Sequence, residues 1–139
     1  MCGFFGLQSY ELDTNEKIVA SRNAIKILNS RGPDSNDTVL DDNNNLVFCH
    51  NRLSILDLSP TGSQPMKSYS GNLLIVFNGE IYNHTSIREE LKNSNNFINW
   101  RGTSDTETLI QAVEIWGLEK TLQKINGMFS FAIWNKVSK

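Results

Sequence analysis

The sequence predicts an α+β fold in which helices are layered on antiparallel sheet. Three observations carry this reading. The apolar patterns run in the order strands, helix, strands, helix pair, strand, which differs from repeated βαβ units. The run Leu73-Leu74-Ile75-Val76-Phe77 is short and fully apolar, so it reads as a strand buried on both faces. The composition, 39% hydrophobic and 20% charged with three prolines in 139 residues, is that of one globular domain.

Each element has a local reason. Gly3–Gln8 reads as a first strand, and Asn15–Asn29 as a helix with Ile18, Ile25 and Leu28 on one face and Thr14 as its cap. Arg31-Gly32-Pro33-Asp34-Ser35 is a loop, because Gly and Pro adjoin. Thr38–Leu40 and Leu46–Ile55 read as strands on either side of an Asn43-Asn44-Asn45 turn. Ser59–Ser68, with Pro60, Gly62 and Pro65, is a second loop before the apolar strand. Asn83 is placed to cap a helix ending near Leu91. Ser104-Asp105-Thr106-Glu107 is a capping-box pattern opening another helix, with Leu109, Ile110, Val113 and Trp116 on its apolar face and Gly117 at its end. Leu118–Ile125 continues as a short helix, and Met128–Trp134 alternates as a last strand.

Composition excludes several function classes. A net charge of -2 and a pI near 5.6 provide no basic excess for nucleic-acid backbones or an anionic membrane. The longest apolar run falls far short of the ~20 residues of a membrane helix. Two cysteines, Cys2 and Cys49, are too few for a disulfide-dense scaffold or a four-cysteine zinc module, and His50 and His84 lack the spacing to join them around a metal. No basic segment precedes a sustained apolar one near the N-terminus, so a cytoplasmic location is expected.

A few polar residues stand out. Cys2 follows the initiator directly, and removal of Met1 would leave a thiol and a free α-amine on one residue. With a reference pKa of ~7.7–8.0, that amine could serve as base for its own thiol; the alternative is a buried, inert cysteine opening a strand. Asn78-Gly79-Glu80 follows the apolar strand. It suits an oxyanion site made from an amide side chain and an accessible N–H, and equally suits a two-residue hairpin turn. Arg52 lies among apolar neighbours, either as a planar fork for a carboxylate or as an outward-facing surface arginine. Asp105 sits in a helix's first turn, where the helix dipole alone would favour it.

Taken together, seven pieces in order resemble the class II glutamine amidotransferase domain of the asparagine synthetase family, an N-terminal nucleophile glutaminase. They are Met1-Cys2-Gly3-Phe4-Phe5-Gly6, Arg31-Gly32-Pro33-Asp34, Arg52-Leu53-Ser54-Ile55 with Asp57-Leu58, Gln64-Pro65-Met66, Phe77-Asn78-Gly79-Glu80-Ile81-Tyr82-Asn83, Ser104-Asp105-Thr106-Glu107 and Gly127-Met128-Phe129-Ser130-Phe131-Ala132-Ile133-Trp134. The sequence departs from the family pattern at Asp37, Asn51 and Ser63, none of them a proposed catalytic group. The resemblance implies an αββα sandwich of antiparallel sheets with helices outside. It implies Cys2 as nucleophile, its α-amine as base, and the Asn78 side chain and Gly79 N–H as oxyanion hole. Arg52 would bind the α-carboxylate of glutamine, and Glu80 and Asp105 its α-ammonium, with Leu53 and Ile55 lining the same pocket. The charges agree, since a zwitterionic amino acid needs one cation and at least one anion.

The resemblance also implies partners. Ammonia would pass to a synthetase domain or partner chain and amidate ATP-activated aspartate, so ATP and Mg would belong there, with no cofactor or metal in this domain. Residues 1–139 would be a glutamine amidotransferase domain incomplete at its C-terminal side, without the strands expected after Trp134 and without the synthetase domain. An open sheet edge would then favour assembly with another chain, a second copy in a homo-oligomer included. The competing readings are a glutaminase serving a sugar phosphate, against which Glu80 and the Arg52-Leu53-Ser54-Ile55 run argue, and a non-catalytic assembly module.

Overall fold

The computed structural model describes residues 2–41, 43, 45–93 and 98–138. Met1 and Asn44, the centre of the expected asparagine turn, lie outside the described residues. Among the described residues, six strands and four α-helices follow in the order β1 (Gly3–Gln8), α1 (Thr14–Leu28), β2 (Ser35–Asp41), β3 (Leu46–Arg52), β4 (Met66–Lys67), β5 (Leu73–Ile81), α2 (His84–Asn93), α3 (Asp105–Trp116), α4 (Leu118–Lys124) and β6 (Gly127–Asn135). All pairings are antiparallel, in two sheets ordered β1-β3-β2 and β4-β5-β6. The expected class, helices on antiparallel sheet, is what the chain adopts.

The two-residue period of the central strands explains how the layers meet. On β5, Leu74 and Val76 face the first sheet and pack with Leu46 and Phe48 of β3. Leu73, Ile75 and Phe77 point the other way and pack with Leu109 and Ile110 of α3. All five residues of the apolar run are buried, which accounts for its lack of alternation. Each such side chain contributes roughly 1.5–3 kcal/mol. On the far side of β3, the Cys49 Sγ and Asn51 Nδ2 reach the α1 carbonyls of Ser21 and Ile25.

Some local expectations shift. Asp13, not Thr14, caps α1, in a full capping box with Glu16. The most buried positions of α1 are Lys17 and Ser21, so its inner face is turned by a residue from the Ile18-Ile25-Leu28 stripe. Lys17 is buried, and its ammonium donates to Asn45 Oδ1 at 2.9 Å. Asn83 does not spend its side chain on a cap: the amide ties Lys124 O and the Asn126 N–H at the end of α4. The strand expected to run to Ile55 stops at Arg52, because the Leu53 and Ser54 amides take partners outside the sheet. No helix among the described residues is long and apolar enough to cross a membrane.

Candidate active site

An open cavity of about 450 Å³ lies where β3, β5, β6 and the start of α3 meet. It is lined by Cys2, Arg52, Leu53, Ile55, Asn78, Gly79, Glu80 and Asp105, the eight residues to which the resemblance assigned a site role. The two sheets and α3 bring Cys2 and Asp105, 103 residues apart in the sequence, to one cavity.

Cys2 stands just before β1, half-buried. Its sulfur is held by one residue of the neighbouring strand end: the Leu53 N–H donates to Sγ at 3.3 Å, and the thiol faces Leu53 O at 3.6 Å. The Arg31-Gly32-Pro33-Asp34 loop braces the same corner. Arg31 Nε donates to Cys2 O at 3.1 Å, and the Asp34 carboxylate accepts the Ser54 N–H at 2.7 Å. Gly32 is required there, since a Cβ would come within 2.2 Å of Asn51 O. Cys49, by contrast, is fully buried away from the cavity, and burial pushes its thiol pKa up.

The surface-arginine reading of Arg52 is overturned. The residue is 9% exposed, and its guanidinium donates to the carbonyls of Asp57 and Ser59. The fork has five donors, so these two bonds leave N–H groups for a carboxylate in the cavity.

Asn78-Gly79-Glu80 is neither a hairpin turn nor a strand end. All three residues lie within β5 and pair with Ser130, Phe129 and Met128 of β6. Gly79 has φ 153°, and a Cβ there would sit 2.3 Å from Met128 O. The glycine therefore lets β6 close on β5 beside the cavity. Asn78 Oδ1 is buried, and no donor among the described residues reaches it.

Asp105 opens α3 and is 5% exposed. Its carboxylate accepts the Ile81 N–H at 3.0 Å and the Thr106 N–H at 2.8 Å. Burial raises its pKa even so, and no salt bridge among the described residues gives it a cation. Glu80, across the cavity wall, is exposed. His50 does not join them. It is 1% exposed on β3, faces the second sheet and shares a 3.1 Å hydrogen bond with Phe77 O. Its pKa is lowered to about 4 by burial, with the Arg52 charge adding to the effect, so it is neutral at pH 7.

Residues 1–139 match the family model of the glutamine amidotransferase domain. The chain belongs to this family. It is 36% identical over 98% of its length to asparagine synthetase [glutamine-hydrolyzing] 1 of Bacillus subtilis, covering 21% of that protein. It is 31% identical over 97% of its length to asparagine synthetase B [glutamine-hydrolyzing] of Escherichia coli, covering 23%. A protein named amidase chry2 from Gibberella zeae is 31% identical over 89% of the chain, which spans 18% of it. The chain thus spans about a fifth of the length of the curated relatives it matches.

Several residues that support this cavity had no assigned chemical role in the sequence. Gln64 Oε1 accepts the Phe77 N–H at 2.6 Å while its Nε2 donates to Thr106 Oγ1 at 3.2 Å, tying the start of the Asn78 motif to α3. Glu107 was expected to complete a capping box. Ser104 Oγ does accept the Glu107 N–H, but the Glu107 carboxylate turns to the Arg101 and Gly102 N–H groups and to Arg88 at 3.1 Å. Asp57 organises the Arg52 loop. Its spacing to Ser59 and Thr61 is the pattern of side-chain-to-backbone turns, a signal present in the sequence.

Proposed function

We propose that the chain is a glutaminase that releases ammonia from glutamine by acyl transfer through Cys2. The observation that carries this is one cavity holding a thiol, a buried cation, the Asn78 side-chain amide and a buried carboxylate that accepts backbone N–H groups. In this reading Met1 is lost and the Cys2 α-amine takes the thiol proton. The sulfur attacks the side-chain carbonyl of glutamine, and the oxyanion is held by Asn78 Nδ2 and the Gly79 N–H. The ammonium so formed on Cys2 returns the proton to the leaving nitrogen, and ammonia departs. Water then attacks the thioester, regenerating the thiol and releasing glutamate.

Arg52 binds the substrate α-carboxylate, and Asp105 with Glu80 binds the α-ammonium. An ammonium beside Asp105 would offset the burial that disfavours its charged form. Leu53 holds the nucleophile through its backbone, and Ile55 flanks the mouth. The layering of α1, two antiparallel sheets and α3 supports the αββα arrangement of N-terminal nucleophile hydrolases. The names of the longer relatives, asparagine synthetases called glutamine-hydrolyzing, support transfer of the ammonia to a synthetase domain or partner chain.

The test is ammonia release from L-glutamine by the purified chain, with loss of Met1 verified by mass. Cys2→Ala and a chain with an uncleavable extension before Cys2 should both be inactive. Parental rates in Cys2→Ala would remove the nucleophile, and full activity in the extended chain would remove the amine as base.

A further inference from the structure

Arg52 and Asp105 reach the cavity from different elements: Arg52 ends β3 and Asp105 begins α3. A zwitterion can be recognised only if the two charges are held at a fixed separation. One carboxylate joins the loops that carry them. Asp57 Oδ1 accepts the Ser59 N–H at 2.9 Å and the Ser59 hydroxyl at 2.6 Å. Those bonds curl the loop so that the Asp57 and Ser59 carbonyls meet the Arg52 guanidinium. Asp57 Oδ2 accepts the Thr61 hydroxyl at 3.3 Å and, across the gap, the Thr103 N–H at 2.9 Å. Thr103 adjoins Ser104, whose hydroxyl caps the helix that Asp105 opens.

Two glycines allow this close approach. A Cβ on Gly62 would lie 2.3 Å from Arg52 Nη2, and one on Gly102 would lie 2.5 Å from Asp57 Oδ2. Burial alone would raise the Asp57 pKa, but donors from Ser59, Thr103 and Thr61 outweigh it and hold the group at about 2. The carboxylate is therefore ionised, and able only to accept, at any pH near neutrality.

We propose that Asp57 is a positioning residue that sets the separation of Arg52 from Asp105 and thereby the preference of the pocket for a zwitterionic amino-acid amide. The proposal rests on the glutaminase reading of the cavity. It acts through the two loops rather than on the reacting atoms.

Binding is measured by calorimetry in a Cys2→Ala background, which separates recognition from turnover. The probes are L-glutamine, the amide of γ-aminobutyric acid, which lacks the α-carboxylate, and glutaramic acid, which lacks the α-ammonium. The parent should prefer glutamine over each by about tenfold or more, the scale of one charge-assisted bond. Asp57→Ala should lose most of both preferences while keeping a cooperative thermal transition. Asp57→Asn keeps one acceptor for the Ser59 bonds but cannot accept the Thr103 N–H. It should lose preference chiefly against glutaramic acid, and retain it against the amide of γ-aminobutyric acid. Folded variants with parental ratios would overturn the proposal and leave the glutaminase reading standing. Loss of the fold in both variants would make Asp57 a folding residue and also overturn it. A parent that binds none of the probes would overturn the glutaminase reading, and this inference with it.

Discussion

The acid stability of the fold should hinge on His50. Its imidazole is 1% exposed between the two sheets, bonded through Nε2 to Phe77 O, with Nδ1 unpartnered. Burial lowers its pKa from 6.5 to about 4. The Phe77 bond opposes that shift, and the positive charge of Arg52, two residues along the same strand, adds to it. The unfolded chain therefore binds a proton between pH 6.5 and 4 that the folded chain does not. Stability from this group is fully present above pH 6.5 and is lost as the pH falls through that window. At about 1.4 kcal/mol per pH unit the full loss is about 3 kcal/mol, and about 2–3 kcal/mol is gone by pH ~4.5. That is a large share of the roughly 5–15 kcal/mol holding a domain together. The assay is urea denaturation at pH ~7 and ~4.5 for the parent and His50→Gln, which keeps a donor for Phe77 O but does not titrate. Asp57, held at about 2, titrates below this window. Asp105, raised by burial, gains stability on acidification, but equally in both proteins. The parent should lose about 2–3 kcal/mol more than the variant. Equal losses would refute the assignment of a neutral, proton-excluding His50.

Five further variants have expected outcomes. Asn78→Ala should lower glutamine turnover by ~10²–10³ with little change in the Michaelis constant, whereas Arg52→Ala should raise that constant strongly; an unchanged turnover in Asn78→Ala would remove it from the oxyanion site. Cys49→Ser should keep glutamine turnover, because Cys49 is buried away from the cavity, and should cost about 1 kcal/mol in denaturant titration. Gly79→Ala should lower the thermal midpoint and the activity together, since its Cβ would push against Met128 O and the Phe129 backbone at 2.3 and 2.5 Å. Glu107→Ala should destabilise by about 3 kcal/mol in the same titration, because it removes the carboxylate partner of the Arg88 charge and leaves two backbone N–H groups unpaired.

The sequence alone determined what short-range chemistry controls. β1 was legible from end to end, and α3 was fixed by the Ser104 hydroxyl before it and by Gly117, at φ 83°, after it. The burial of Leu73–Phe77 followed from five apolar residues in a row. The charges of the pocket were visible as residue types at motif spacings, in Arg52, Glu80 and Asp105. Tertiary structure decided what those groups face. Whether Asn78-Gly79 turns or continues depends on β6, about fifty residues later, whose pairing extends the strand through Ile81. Arg52 is buried because the carbonyls of a loop five to seven residues on fold over it. Glu107 leaves its expected cap because Arg88, on another helix, and the Arg101–Gly102 backbone offer a buried carboxylate more donors than its own helix end does. On α1, turned by a residue, the buried Lys17 bonds its ammonium to Asn45, a partner 28 positions away. In each case the local pattern left two conformations close in energy, and a long-range hydrogen bond or strand pairing, worth about 1 kcal/mol or more once buried, chose between them.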